Sequence, residues 1–148
     1  ALIGMIYGRT HTRIISEMGG LMKVIPFLGV AYVIAGLASL GLPGLSGFVA
    51  EMNVFFGAFE HPDTFHRVAT IIAITSIVIT AVYILRVIAI LLLGPLRDNH
   101  YTTFNDARWY EKLSLLALLT GIVYIGMLPS GLSGIIRDSI MPIVEKLM

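Results

Sequence analysis

The sequence predicts an all-α fold, a polytopic transmembrane helix bundle with one Gly/Pro-broken helix and a C-terminal amphipathic helix. Three observations carry this expectation. Of 148 residues, 57% are hydrophobic and 13% are charged, about half the charged share of an ordinary soluble domain. The mean hydropathy is +0.89. The apolar residues gather into runs close to the roughly 20 residues that a spanning helix needs, and after Pro129 they change to one-sided helical spacing.

Taken in order, residues 1–8 read as the end of a span that starts upstream, because the opening lacks the initiator Met, basic region and cleavage site of a signal peptide. From Arg9 to Leu21, the residues Ile14, Ile15, Met18, Leu21 and Met22 recur at helical spacing in a polar stretch, which predicts an interfacial helix or turn. Spans are expected at 22–41, 45–60, 68–93 and 110–129. The second is short and follows Gly41-Leu42-Pro43-Gly44-Leu45-Ser46-Gly47, where Pro43, Gly44 and Gly47 disfavour continuous helix. That motif is either a tight turn between spans or a break within one. Backbone that leaves the helix inside a bilayer must be satisfied by protein or by a water-filled cavity.

Residues 105–112 offer an N-cap, an acid for the first turn and the interfacial aromatics Trp109 and Tyr110, and so mark the start of the last span. In the tail 130–148, Leu132, Ile135, Ile136, Ile140, Ile143, Val144 and Leu147 share a face, with Arg137, Asp138, Glu145 and Lys146 elsewhere. This predicts an amphipathic helix along the membrane or a neighbouring subunit, kinked near Pro142. If every span crosses, Arg9, Arg13, Lys23 and Arg67 lie on one side and Arg97, Arg108, Lys112 and Arg86 on the other, which leaves orientation undecided.

Composition also excludes function classes. The net charge of +1 gives no reason to expect nucleic acid. With no Cys there is no disulfide framework or iron–sulfur cluster, and the four His (His11, His61, His66 and His100) fall outside the long apolar runs, against an intramembrane haem. No cofactor and no metal is expected in this chain, and His61, His66 and His100 read as loop residues without a role.

Glu51 is the acid that stands inside a predicted span; Glu60, Asp63, Asp106 and Glu111 fall at span ends or in loops. An acid at a helix centre costs about 2.5–3.5 kcal/mol on insertion scales and marks a functional site by default. Low dielectric favours the neutral acid, the condition under which a carboxyl exchanges protons near neutral pH. Glu51 is therefore a candidate proton carrier, the alternative being a permanent ion pair with a helix outside this stretch. Its closeness to the Gly/Pro motif is the pairing seen in broken helices of ion-coupled transporters. Ser76, Thr80 and Tyr83 share a face of 68–93 and form either a polar path for water and protons or hydroxyls bonded to their own helix. Arg86 is either a snorkelling cation or a counter-charge. Lys23 reads as an interface anchor.

The runs Gly19-Gly20-Leu21-Met22-Lys23-Val24-Ile25-Pro26 and Ala38-Ser39-Leu40-Gly41-Leu42-Pro43-Gly44-Leu45-Ser46-Gly47-Phe48-Val49-Ala50-Glu51 resemble the C-terminal part of the proton-translocating membrane-subunit family. That family holds the antiporter-like subunits of respiratory complex I and the large subunits of Mrp-type sodium/proton antiporters. Glu at position 51, where other branches generally carry Lys, resembles the M-type branch. The resemblance implies proton translocation coupled to NADH:quinone electron transfer, with Glu51 as the terminal proton-relay group beside a discontinuous helix. It implies other membrane subunits, lipid, protons and internal water as partners, and the bacterial inner membrane as the location. The family topology would place 9–21 and the C-terminal helix on the outer face. The rival readings are an Mrp-type or hydrogenase-linked subunit, or a structural membrane scaffold.

Overall fold

The computed structural model describes residues 1–96, 101 and 103–147, apart from the side chains of Leu132, Asp138 and residues 143–147. Among these residues every regular element is helical: α1 (Leu2–Thr10), a 3-10 turn (Ile15–Glu17), α2 (Leu21–Val24), α3 (Pro26–Ser39), α4 (Ser46–Glu60), α5 (Thr64–Ile88) continued by a π-helical turn (Ala89–Leu93), α6 (Trp109–Met127) and α7 (Ser130–Leu147). The expected all-α fold is observed. His100 and Arg97 lie outside the described residues.

The element boundaries follow from local chemistry. Between α1 and α2 the chain makes a turn with one 3-10 element, not a helix. Thr12 Oγ1 accepts from Ile14 N at 3.2 Å and donates to Glu17 at 3.0 Å, a side-chain alternative to helical bonding. Met18 and Leu21 are buried while Ile14 and Ile15 stay exposed, so the apolar residues that shared a helical face in the sequence separate here. The expected span 22–41 is interrupted at Ile25, whose φ and ψ of −126° and 66° leave the α region because the following Pro26 clashes with a helical predecessor. Pro26 then takes the first position of α3, where its missing N–H costs nothing.

Residues far apart settle the topology. Ile84 and Ile88 of α5 lie against Gly36 of α3, and Leu91 and Leu92 join the core formed with Leu21, Ile25 and Leu28. Later residues of α5 thus meet earlier residues of α2 and α3, so the two run antiparallel. The first half of α5 packs instead on α4, which shares a cavity with Thr70, Ile74 and Ile77. One continuous helix of 30 residues, Thr64–Leu93, about 45 Å long, thus passes both α3 and α4. The expected spans 22–41 and 45–60 are corrected accordingly: α3 and α4, of 14 and 15 residues, are each about 21–22 Å long and behave as two parts of one interrupted helix.

Helix α6 runs parallel to α3. Its approach is fixed at one end by Asp106, whose Oδ2 accepts from Phe27 N at 3.0 Å, and at the other by Gly126, which abuts Gly44 and Leu45. The expectation that 105–112 caps the last span is modified. Asp106 caps α3, 79 residues away in sequence, while α6 is entered at Arg108, whose N–H donates to Glu111 at 2.8 Å. Arg9 at the end of α1 closes the arrangement. Its guanidinium donates to Glu111 at 2.6 Å, to the carbonyls of Asn105 and Met5 at 2.9 and 2.8 Å, and to that of Asp106 at 3.3 Å. Both partners of the Arg9–Glu111 pair are largely buried.

The end of α1 and the start of α6 therefore occupy one end of the bundle, and α7 leaves from the other. Segment 9–21 and the C-terminal helix are at opposite ends, which corrects the placement of both on one face. Arg9, Arg13, Lys23, Arg108 and Lys112 gather at the first end. Arg67 stands at the second, from which α7 leaves. The cationic split drawn from four separate crossings is corrected in the same way.

The two longest apolar helices are little covered within the chain. Only 17% of the most apolar window of Thr64–Leu93 and 6% of that of Trp109–Met127 are buried within the chain. Ile72, Val78, Ile79, Val82, Leu113, Leu116 and Leu118 face outward. The core helix of a soluble protein hides such faces, and here lipid or neighbouring protein must cover them. Both helices are long and apolar enough to cross a membrane by length and composition. Helix α7 continues through Pro142, with Ile135, Ile136 and Ile140 exposed.

Candidate functional site

The Gly/Pro motif forms two turns in succession. Helix α3 closes with a Schellman arrangement in which Leu42 N–H donates to Leu37 O at 3.4 Å and Gly41 N–H to Ala38 O at 3.3 Å, with Gly41 left-handed at φ 64°. Leu42-Pro43-Gly44-Leu45 then makes a type II β-turn. Leu45 N–H donates to Leu42 O at 3.1 Å, Pro43 supplies the fixed φ of the second position, and Gly44 the positive φ, 93°, of the third. Gly47, one residue into α4, has its α-carbon so close to the Ala38 carbonyl that a side chain there would collide with it. Pro43, Gly44 and Gly47 are thus brought together as the connection between α3 and α4.

Glu51 lies over this connection. Its carboxyl group rests on Gly41: a β-carbon built there would contact Oε2 and come within 2.8 Å of the carboxyl carbon and 3.1 Å of Oε1. Gly41 therefore has two duties, a backbone conformation that suits glycine and an empty side-chain position that the acid fills. Glu51 is half-buried and borders a cavity of about 270 Å³ between α4 and α5, lined by Phe48, Phe55, Phe56 and Phe59 from α4 and by Thr70, Ile74 and Ile77 from α5. Apart from Glu51 and Thr70 its side-chain lining is apolar. Among the described residues no cation stands within ion-pair distance of Glu51.

The candidate polar path on α5 is not joined to this cavity. Ser76 donates to Ala73 O at 2.6 Å and Thr80 to Ser76 O at 3.2 Å, the local bonding usual for hydroxyls in apolar helices. Tyr83 borders a different cavity, of about 490 Å³, with Tyr32 and Ser39 of α3 and Leu115 and Leu119 of α6. Arg86 is exposed, and neither it nor Lys23 has an ion-pair partner among the described residues.

Two arrangements escaped the sequence reading. The contact of Glu51 with Gly41 spans ten positions and a turn, with no local signal beyond the glycine itself. The second is His61-Pro62-Asp63-Thr64-Phe65-His66. Asp63 caps α5 by accepting from Phe65 N at 3.3 Å, its other oxygen lies 3.3 Å from His66 Nδ1, and the His61 and His66 rings stand 4.1 Å apart. The spacing of two His and one Asp across a helix junction was the available signal.

The profile of the family described as NADH:quinone oxidoreductase/Mrp antiporter, TM, matches residues 1–80. NADH-quinone oxidoreductase subunit M of Rickettsia felis is 33% identical over 145 residues, covering 98% of this chain and 29% of its own length. NAD(P)H-quinone oxidoreductase chain 4 1 of Microcystis aeruginosa is 31% identical over 98% of this chain and 31% of its own length. The chain 4 protein of Gloeobacter violaceus is 35% identical over 86% of this chain and 25% of its own length. The chain thus spans less than a third of these relatives, and their names, subunit M and chain 4, fit the M-type resemblance drawn from Glu51. With a family profile over more than half of its residues and relatives along nearly all of it, the chain belongs to the NADH:quinone oxidoreductase/Mrp antiporter transmembrane family.

Proposed function

We propose that this chain is part of a proton-translocating, antiporter-like membrane subunit of an NADH:quinone oxidoreductase, and that Glu51 is its proton-relay carboxyl. The observation that carries this reading is the seat of Glu51, with its carboxyl on the glycine of a helix interruption and beside an apolar cavity. Among the described residues of this chain its neighbours around the cavity are phenylalanines and not a cation, which supports the relay reading. Coupling requires that a redox-driven change elsewhere in the assembly bind the two protonation states of Glu51 differently. The turn that Glu51 touches is the natural element for that bias, because a small change in the angle between α3 and α4 alters what surrounds the acid. With no Cys in the sequence and its His outside the apolar runs, the reading leaves electron transfer to other subunits. Its partners are those membrane subunits, lipid, protons and internal water, and its location is the bacterial inner membrane.

In this reading α3, the turn and α4 cross the membrane once, α5 returns and α6 crosses again. The end that gathers Arg9, Arg13, Lys23, Arg108 and Lys112 then faces the cytoplasm under the positive-inside rule.

The test is proton pumping per electron in membranes carrying Glu51→Gln, with assembly checked on native gels. Pumping is expected to fall with the complex intact and to recover in part with Glu51→Asp. Normal pumping in the Gln variant would reduce Glu51 to a structural residue, and sodium-dependent transport would favour the Mrp-type alternative.

A further inference from the structure

We propose that His61, Asp63 and His66 form a surface site for a divalent transition metal of the Zn²⁺ class at the junction of α4 and α5. Each offers one ligand atom, and the three atoms lie within 4.8 Å of one another. A tetrahedral Zn²⁺ holds imidazole nitrogen and carboxylate oxygen at about 2.0–2.2 Å, which sets ligand atoms about 3.4 Å apart. Two imidazoles and one carboxylate select borderline metals such as Zn²⁺, Ni²⁺ and Cu²⁺ over Mg²⁺ and Ca²⁺. The remaining approach is small and unopposed. All three residues are exposed, so their side chains rotate without disturbing a core, and the fourth position stays open to water.

The backbone already prepares the cluster. His61 is the residue that ends α4, Asp63 is the N-cap of α5, and His66 stands in the first turn of α5. Asp63 N–H donates to His61 Nδ1 at 3.3 Å, and the Asp63 carboxylate lies 3.3 Å from His66 Nδ1. These contacts hold both rings on one side of a three-residue link, their centroids 4.1 Å apart. An ion held by all three would staple the end of the Glu51 helix to the start of its antiparallel partner.

The experiment uses the full-length protein in the assembly in which it is isolated, in detergent, so that both faces are open and the result is independent of orientation and of the pumping mechanism. Bound Zn²⁺ is counted after equilibrium dialysis, and Co²⁺ is followed by its visible ligand-field absorption. The wild type is expected to hold one Zn²⁺ more per chain than the His61→Ala/His66→Ala double variant. Asp63→Asn, which keeps the cap, is expected to weaken binding at least tenfold. The exposed His66→Gln single variant gives the same readout should the double variant fail to assemble. Equal Zn²⁺ stoichiometry and affinity in wild type and variants, or a Co²⁺ spectrum indifferent to them, would overturn the proposal.

Discussion

Two glycines in the helix connection separate backbone strain from contact with the acid. Gly41 and Gly44 both have positive φ, at 64° and 93°, so alanine at either costs roughly 1–2 kcal/mol of strain. Their surroundings differ. A β-carbon at Gly44 meets nothing within 4 Å, whereas one at Gly41 strikes the Glu51 carboxylate. Gly41→Ala and Gly44→Ala are therefore expected to lower the thermal unfolding temperature of the assembly to a similar degree, while Gly41→Ala alone sharply reduces proton pumping per electron. Equal pumping in the two variants would show that the seat of Glu51 on Gly41 has no part in the relay.

Elements are tied together here by side chains that the sequence places far apart. Asp106 supplies the N-terminal cap of α3 from the loop before α6, through a 3.0 Å bond from Phe27 N, and its negative charge also suits the positive end of that helix dipole. Asp106→Ala is expected to cost about 0.5–2 kcal/mol in thermal or denaturant unfolding, and Asp106→Asn, which keeps an accepting oxygen, clearly less. The Arg9–Glu111 pair obeys a different rule, because its side chains are only 14% and 15% exposed. Removing one member leaves a poorly solvated charge at a cost of about 3–5 kcal/mol in a fully buried case, and somewhat less here. Arg9→Met and Glu111→Leu are each expected to destabilise more than the Arg9→Met/Glu111→Leu double variant, a sign that a thermodynamic cycle reads directly.

These ties explain where sequence reading stops. Hydropathy located α4, α5 and α6 because an apolar run in a membrane chain has few alternatives, and Glu51 stood out as an acid within such a run. Averaging over a window, however, hid the interruption at Ile25, which the rule for a residue before proline would have exposed. It also counted α3 and α4 as separate crossings, because nothing in composition says that one 30-residue helix lies beside both. Asp106 read as a cap for its own neighbour because capping patterns are local, and its actual partner is a backbone group 79 positions away.

At the scale of the whole molecule the decisive question is how many times residues 22–60 cross the membrane. Two crossings, as the apolar runs alone suggest, would return residues 61–63 to the side that holds 9–21. The observed packing gives the opposite. Arg9 is bound to Glu111 at the start of α6, α5 ends at that same end beside Leu21 and Ile25, and residues 61–63 connect α4 to the far end of α5. The absence of Cys from all 148 residues makes this measurable with single cysteines in a full-length background freed of any others. Glu17→Cys in the 3-10 turn and Glu60→Cys at the end of α4 both sit at exposed positions, so access to reagent is governed by side and not by burial. In intact spheroplasts a membrane-impermeant maleimide is expected to label the cysteine at 60 at once and the one at 17 only after lysis, since the cationic end should face the cytoplasm. Labelling of both from the same side would restore two separate crossings and undo the interrupted helix on which the seat of Glu51 depends.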